Sequence, residues 1–248
     1  MRKIALLCSV LFLVGAGCGF ARQSAAVSMP VKISFQTSDG VTIVGKWYVV
    51  ENPKRFALLL HMMPATKESW QPLAEALHAA DIASLAIDLR GHGESTQSAG
   101  GALDYKKFSD AEQQAKMRDV EAAITWLKEK GAREETIALI GASIGANLAM
   151  VYGSEHHKIP VTVALSPGLD YRGVNAERAG VRIAPDQKVL FAAAEGDTYS
   201  FDTVTTLAGR MVAVAPEVLR YQGAAHGTDL FNTDSALVQK IVSLVGAV

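Results

Sequence analysis

Residues 141–145 read Gly141-Ala142-Ser143-Ile144-Gly145, a serine framed by two glycines. The apolar run before it, Thr136 to Ile140, reads as a short strand, and Ile144 to Gly153 reads as a small-residue helix. A strand that turns straight into a helix holds its central serine in a strained conformation, and flanking glycines let neighbouring backbone approach without Cβ clashes. The Ser143 hydroxyl would then stand at a helix N-terminus, where free N–H groups favour developing negative charge. That is the setting for nucleophilic attack on a carbonyl carbon.

A serine hydroxyl is a weak nucleophile at neutral pH. It needs a histidine to take its proton, and a carboxylate to fix that histidine's tautomer. In the order Ser, acid, His, only His226 lies beyond His157. It sits in a small-residue loop, Gly223-Ala224-Ala225-His226-Gly227-Thr228, between an expected strand and the last helix. The acid should follow the strand Val189 to Ala194, where Glu195, Asp197 and Asp202 are the candidates. Asp197 is preferred, because Gly196 before it can turn its carboxylate back over the sheet edge. Glu195 continues the strand, and Asp202 is expected to open a helix as its N-cap.

The elements that must position these groups alternate. Val31 to Phe35 and Val41 to Val50 read as strands joined by the turn Ser38-Asp39-Gly40. Phe56 to Leu60 and Ile82 to Ile87 are wholly apolar, as strands buried on both faces are. Between them Ser69 starts a helix to Ala80, with Leu73, Ala76, Leu77 and Ala80 on one face. Residues 94–108 read as a polar loop. Ser109 opens one long amphipathic helix that Gly131 stops, with Val120, Ile124 and Leu127 inward. Val161 to Leu165 is a strand, and Ser166 to Gln187 is irregular with at most one helical turn, too short for a full helical lid. Val218 to Tyr221 is the last strand, Phe201 to Val212 a helix, and Thr233 to about Val245 a closing helix. This is the pattern of an α/β protein with a mostly parallel sheet of about eight strands and helices on both faces.

The chain has 248 residues, 49% of them hydrophobic, with a formal net charge of -1. That length suits one larger α/β domain, and the charge argues against nucleic acid as a partner. Residues 1–21 read as a bacterial-type secretory signal peptide. Arg2-Lys3 form a basic start, Ile4 to Val14 an apolar run, and Gly15 to Ala21 a small-residue end. The alternative is a lipoprotein leader over 1–17, with Cys18 lipidated and membrane contact only in that case. Soluble export to the periplasm or medium is preferred, with residues 22–248 as a single domain. Cys8 and Cys18, the only cysteines, lie in the leader, so the mature domain carries no thiol nucleophile or disulfide.

Taken in order, Leu59-Leu60-His61-Met62-Met63-Pro64, Ser69-Trp70-Gln71-Pro72-Leu73-Ala74, Asp88-Leu89-Arg90-Gly91-His92-Gly93-Glu94-Ser95, the Ser143 pentapeptide, Glu195-Gly196-Asp197 and Ala225-His226-Gly227 resemble the α/β-hydrolase superfamily, in its esterase and aminopeptidase-like branch, from about Val31 onward. The resemblance implies a triad of Ser143, Asp197 and His226 and no metal or organic cofactor. It implies an oxyanion hole from the backbone N–H of Ile144 and of a residue just after His61. Counting from His61 that donor is Met63, with Met62 in the place where many members have glycine; Met62 is the alternative donor. Asp170 and Tyr171, after the sixth strand, fall where this fold faces its pocket, and with Met62 they are candidate pocket-lining residues. A loop-capping role is the plainer expectation for Asp170. His61, Arg90 and His92 are expected to shape loops rather than do chemistry. His156 and His157 make a poor metal pair, and Trp47, Trp70 and Trp126 read as packing.

The implied activity is hydrolysis of a small-molecule ester, with small peptides or amides second. A dienelactone-hydrolase-like reading is weaker, since that group commonly uses Cys at the Ser143 position. Epoxide hydrolases and haloalkane dehalogenases need an Asp nucleophile there. A binding protein that kept the fold without catalysis is the alternative of another class.

Overall fold

The computed structural model describes residues 29–247, and the expected leader with Cys8 and Cys18 lies outside them. Among the described residues no helix is long and apolar enough to cross a membrane. Eight strands of five residues or more form one sheet: β1 Val31–Gln36, β2 Val41–Tyr48, β3 Arg55–Leu60, β4 Ile82–Ile87, β5 Ile137–Ala142, β6 Val161–Leu165, β7 Lys188–Ala194 and β8 Glu217–Tyr221. Their order across the sheet is β1-β2-β4-β3-β5-β6-β7-β8. β1, β2 and β4 pair antiparallel, and every other neighbour pair among the eight is parallel. The α/β-hydrolase fold expected from the sequence is the fold observed.

Alternation along the parallel strands builds two cores. Ala57 and Leu59 of β3, Ile140 of β5 and Leu190 of β7 pack under α1 (Gln71–Ala79) and α7 (Ala236–Gly246). Leu58 and Leu60, one residue out of phase, point to the other face, under α3 (Met117–Glu129) and α4 (Ile144–Glu155). Each fully buried leucine contributes ~1.5–3 kcal/mol of transfer free energy. All six residues of β4 and all six of β5 are buried, so these strands show no polar face to alternate with. Trp70 is fully buried against Phe231, Trp47 packs at 5.3 Å from Trp126, and all three tryptophans serve the core or its edge.

Three local expectations change. The helix expected from Ser109 is two: α2 (Asp110–Gln114), opened by a Ser109–Glu112 capping box, and α3. At the junction the N–H groups of Lys116, Arg118 and Asp119 bond three residues back, to Gln113, Ala115 and Lys116. This tightened turn lets α3 bury Val120, Ile124 and Leu127 while rotating Lys116 wholly out of solvent. The polar loop 94–108 contains a small antiparallel pair, Gln97–Ser98 with Gly101–Ala102, which extends the sheet beside β2. The segment after β6 carries a tight hairpin, Asp170–Tyr171 with Val174–Asn175, and a single short helix, α5 (Ala176–Gly180).

Candidate active site

The turn between β5 and α4 puts Ser143 at φ 54, ψ −121, a conformation that side chains rarely adopt and that costs ~1–3 kcal/mol. Crowding holds it there. The Ser143 N–H donates to Leu165 O at 2.8 Å. A Cβ on Gly141 would stand 2.1 Å from Gly145 O, and one on Gly145 would stand 2.1 Å from Leu60 O. Both glycines are therefore steric requirements of the turn. The serine is 8% exposed and precedes Ile144, the first residue of α4, whose N–H has no carbonyl one turn back to bond.

The acid and base come from the ends of β7 and β8. Asp197 follows Gly196, whose N–H donates to Gly223 O at 2.7 Å, so the loops after the two strands are tied together. Asp197 Oδ2 accepts from His226 Nδ1 at 2.7 Å. With its proton on Nδ1, the imidazole leaves Nε2 free as an acceptor. Asp197 occupies the N-cap position of α6 (Thr198–Arg210), and Asp202 lies inside that helix. Asp202 as an N-cap is thus corrected: the helix is capped five residues earlier, at Asp197, directly after the Gly196 turn. Glu195 is exposed, and its N–H continues the ladder to Tyr221 O.

The His226 loop is seated by a residue that pattern reading did not single out. Ser166, fully buried and at φ 49, accepts from the Gly227 N–H at 2.9 Å and donates its own N–H to Ala192 O. A Cβ on Gly227 would lie 3.2 Å from Ala142 Cβ, which places this loop directly over the Ser143 turn. The local signal for Ser166 was only a small polar residue ending an apolar strand. Ser166→Ala leaves the Gly227 N–H buried without its acceptor. We expect a loss of ~1–3 kcal/mol in denaturant unfolding, the usual cost of such an orphan; an unchanged midpoint would show that the bond carries no load.

On the opposite side lies the loop after β3. His61 is fully buried. Its Nδ1–H donates to Met62 O at 2.8 Å and its Nε2 accepts from Leu89 N–H at 3.0 Å. Burial pushes its pKa down to about 4, so it is a neutral backbone clamp. The Met62 sulfur packs toward Gly227 and Met63 packs on the α3 side. Of the expected lining residues, Tyr171 comes to the serine: its hydroxyl reaches Ser143 and lies 3.4 Å from Ser200 Oγ, and burial raises its pKa. The Asp170 carboxylate accepts from Gly173 N–H at 2.6 Å and Asn175 Nδ2 at 3.0 Å, so it caps the hairpin. A cavity of about 330 Å3 beside that hairpin, with Met117, Val151, Val174 and Arg178 on its walls, is separate from Ser143.

The Asp88 to Ser95 run is a scaffold, buried except at Gly93 and Glu94. Asp88 accepts from Lys67 Nζ at 2.7 Å, from Lys67 N–H and from Glu94 N–H, and a Cβ on Gly93 would fall 2.2 Å from its carboxylate. Arg90 bridges Asp119 and Asp39, and Arg90 holds the Asp39 carboxyl far below the usual range. His156 stacks on Tyr152 and His157 Nε2 pairs with Ser154 O, so the two rings serve separate contacts. No cluster of metal-binding side chains occurs among the described residues.

Solved structures of similar fold include the esterase Pf2001 of Pyrococcus furiosus, 20% identical with a TM-score of 0.68 over 88% of this chain and 90% of that one. Dienelactone hydrolase of Anabaena variabilis is 17% identical at TM-score 0.65, covering 87% and 96%. The esterase EaEST of Exiguobacterium antarcticum is 12% identical at 0.65, covering 87% and 99%. At these identities the likeness is one of fold. No curated protein sequence matches the chain. The sequence profile of the serine aminopeptidase S33 family does match, over residues 51–196, from the turn before β3 through the Ser143 elbow to the glycine before Asp197. The chain belongs to the serine aminopeptidase S33 family of α/β hydrolases.

Proposed function

We propose that this hydrolase is a serine carboxylic ester hydrolase working through Ser143, His226 and Asp197. The observation that carries the reading is the 2.7 Å bond from His226 Nδ1 to Asp197 Oδ2, on a loop packed over a serine at φ 54. Ser143 Oγ attacks the ester carbonyl carbon as its proton passes to His226 Nε2. The carbonyl oxygen takes the negative charge, held by the N–H groups of Ile144 and Met63, each donor worth ~3 kcal/mol in comparable sites. Collapse expels the alkoxide, which receives the proton from His226, and an acyl-serine remains. Water attacks that ester with His226 again as base, releasing the carboxylic acid and restoring Ser143. Asp197 stabilises the imidazolium in both halves. The leader over residues 1–21 would carry the enzyme out of the cytoplasm.

A short acyl chain fits the surroundings. The segment after β6 contributes only a hairpin and a five-residue helix, and Met62 fills space beside Gly227. A methylene gains about 0.8 kcal/mol only where it can be buried. We expect p-nitrophenyl acetate through butyrate to be turned over best, with kcat/KM falling at octanoate, and Met62→Gly to move that limit upward. Better turnover of octanoate by the wild type, with no effect of Met62→Gly, would overturn the open-site reading.

The family's aminopeptidase description favours a second reading, hydrolysis of small peptides or amides. An aminopeptidase must hold a free α-amino group, whereas the Asp170 carboxylate beside Tyr171 is committed to its own turn. Aminoacyl p-nitroanilides in the same panel separate the two: their cleavage above the esters would install the peptidase reading.

A further inference from the structure

Lys116 is fully buried, a rare and costly state for an ammonium. Its chain partners do not include a carboxylate. The Nζ donates to His92 Nε2 at 3.3 Å and lies 3.6 Å from Met63 Sδ. An imidazole and a thioether accept hydrogen bonds without neutralising the charge. Lys116 stands at the break between α2 and α3, as the N-cap residue of α3. Asp119, one turn on, already answers Arg90 at 2.8 Å.

The charge sits against the side chain of Met63. Met63, which Lys116 touches, carries the N–H proposed as oxyanion donor. The carbonyl of that same peptide, Met62 O, accepts from His61 Nδ1–H at 2.8 Å. Donation to a peptide's oxygen strengthens its N–H as a donor. The His61 bond therefore polarises the Met62–Met63 peptide in the direction the oxyanion needs. His92 stands between, its ring 4.8 Å from the His61 ring and stacked at 3.7 Å on Tyr105.

We propose that Lys116 is the positive charge that supports the oxyanion hole, acting from against the Met63 side chain without touching substrate. It is a positioning and field-setting residue. This inference rests on the Ser143 reading above and extends it. Below its pKa Lys116 is an ammonium, and its field adds to that of the two N–H donors as charge develops on the carbonyl oxygen. Water is excluded from its surroundings, so the field is poorly screened.

The groups facing Lys116 allow a clean titration. Burial, with the Lys116 charge acting in the same sense, pushes His61 down to about 4 and His92 down to about 2, so both stay neutral in the assay range. Asp119 is pushed up to about 6 by burial, against the opposing pull of Arg90, and is ionised above neutrality. Against the cost of burial, Asp39 and Asp119 hold Arg90 in its charged form, Arg172 on the hairpin is a second cation acting on Lys116, and around His61 Lys67 is paired with Asp88 and Glu94. Burial lowers Lys116 itself to about 8. Raising pH through that value removes the charge, so kcat should fall there.

The test is Lys116→Met, which keeps the length of the side chain and removes the charge, assayed with p-nitrophenyl butyrate from pH 6 to 9.5. We expect kcat at pH 7 to drop about 30-fold with KM little changed. That is the size of effect a unit charge some ångströms away exerts at an effective dielectric of about 20. The wild-type fall in kcat around pH 8 should be absent from the variant, and its thermal midpoint should equal or exceed that of the wild type. A structural role predicts the reverse, a lower midpoint with kcat intact, and that result overturns the inference. A wild-type kcat flat from pH 7 to 9.5 overturns it without any variant. An active Ser143→Ala would instead sink the serine-hydrolase reading, whereas an inactive Ser143→Ala beside a fully active Lys116→Met removes only the Lys116 assignment.

Discussion

Replacing Ser143 by alanine is expected to lower kcat for p-nitrophenyl butyrate by about 10⁴-fold or more while leaving the fold intact, because triad members act as a unit. The change deletes one oxygen from a residue that is 8% exposed, and the backbone bond from Ser143 N–H to Leu165 O survives it. The φ of 54 costs alanine about what it costs serine, so the thermal midpoint should shift little. A serine-directed fluorophosphonate should label the wild type and not the variant. Turnover retained by Ser143→Ala, or labelling that persists, would place the nucleophile elsewhere. A protein that is never labelled, and cleaves neither esters nor anilides, would be a binding protein on this fold.

Asp197→Asn is the second large effect, again about 10⁴-fold in kcat. An amide in place of the carboxylate can offer its N–H to His226 Nδ1, which moves the imidazole proton to Nε2 and leaves no base facing Ser143. Nothing in the bond's geometry, 2.7 Å from Oδ2 to Nδ1, need change for this to happen. Glu195→Gln and Asp202→Asn are the internal controls. Glu195 is exposed at the end of β7 and Asp202 lies within α6, so each should stay near wild-type activity. A collapse of activity in either one, with Asp197→Asn active, would identify a different acid.

The parallel strands were readable from the sequence because a strand buried on both faces must be apolar at every position. Phe56 to Leu60 and Ile82 to Ile87 have no polar residue except Ser84. The elbow was readable because Gly141 and Gly145 are needed by contacts that any strand–serine–helix turn makes with its neighbours. Asp197 and His226 followed from chain order and from the turn-forming glycines beside them. These are local properties, carried by a few consecutive residues.

What the sequence could not hold were the contacts whose partners lie far apart along it. Ser166 ends an apolar run like many serines, and only the packing of β6 against the last loop brings its Oγ to Gly227 N–H, 61 residues on. Amphipathic periodicity ran from Ser109 through Leu127 without a visible interruption, so one helix was the natural reading. The break at Lys116 arises because α3 must face the sheet with Val120 and Leu127 while Asp119 meets Arg90. Nothing local in the sequence sets Lys116 apart from the other lysines. Its burial against His92 and Met63, 24 and 53 residues away, is set by how three loops close over one end of the sheet. Composition and periodicity report whether a residue can be buried; which groups surround it once it is buried depends on chain closure over long separations, and that information exists only in the folded structure.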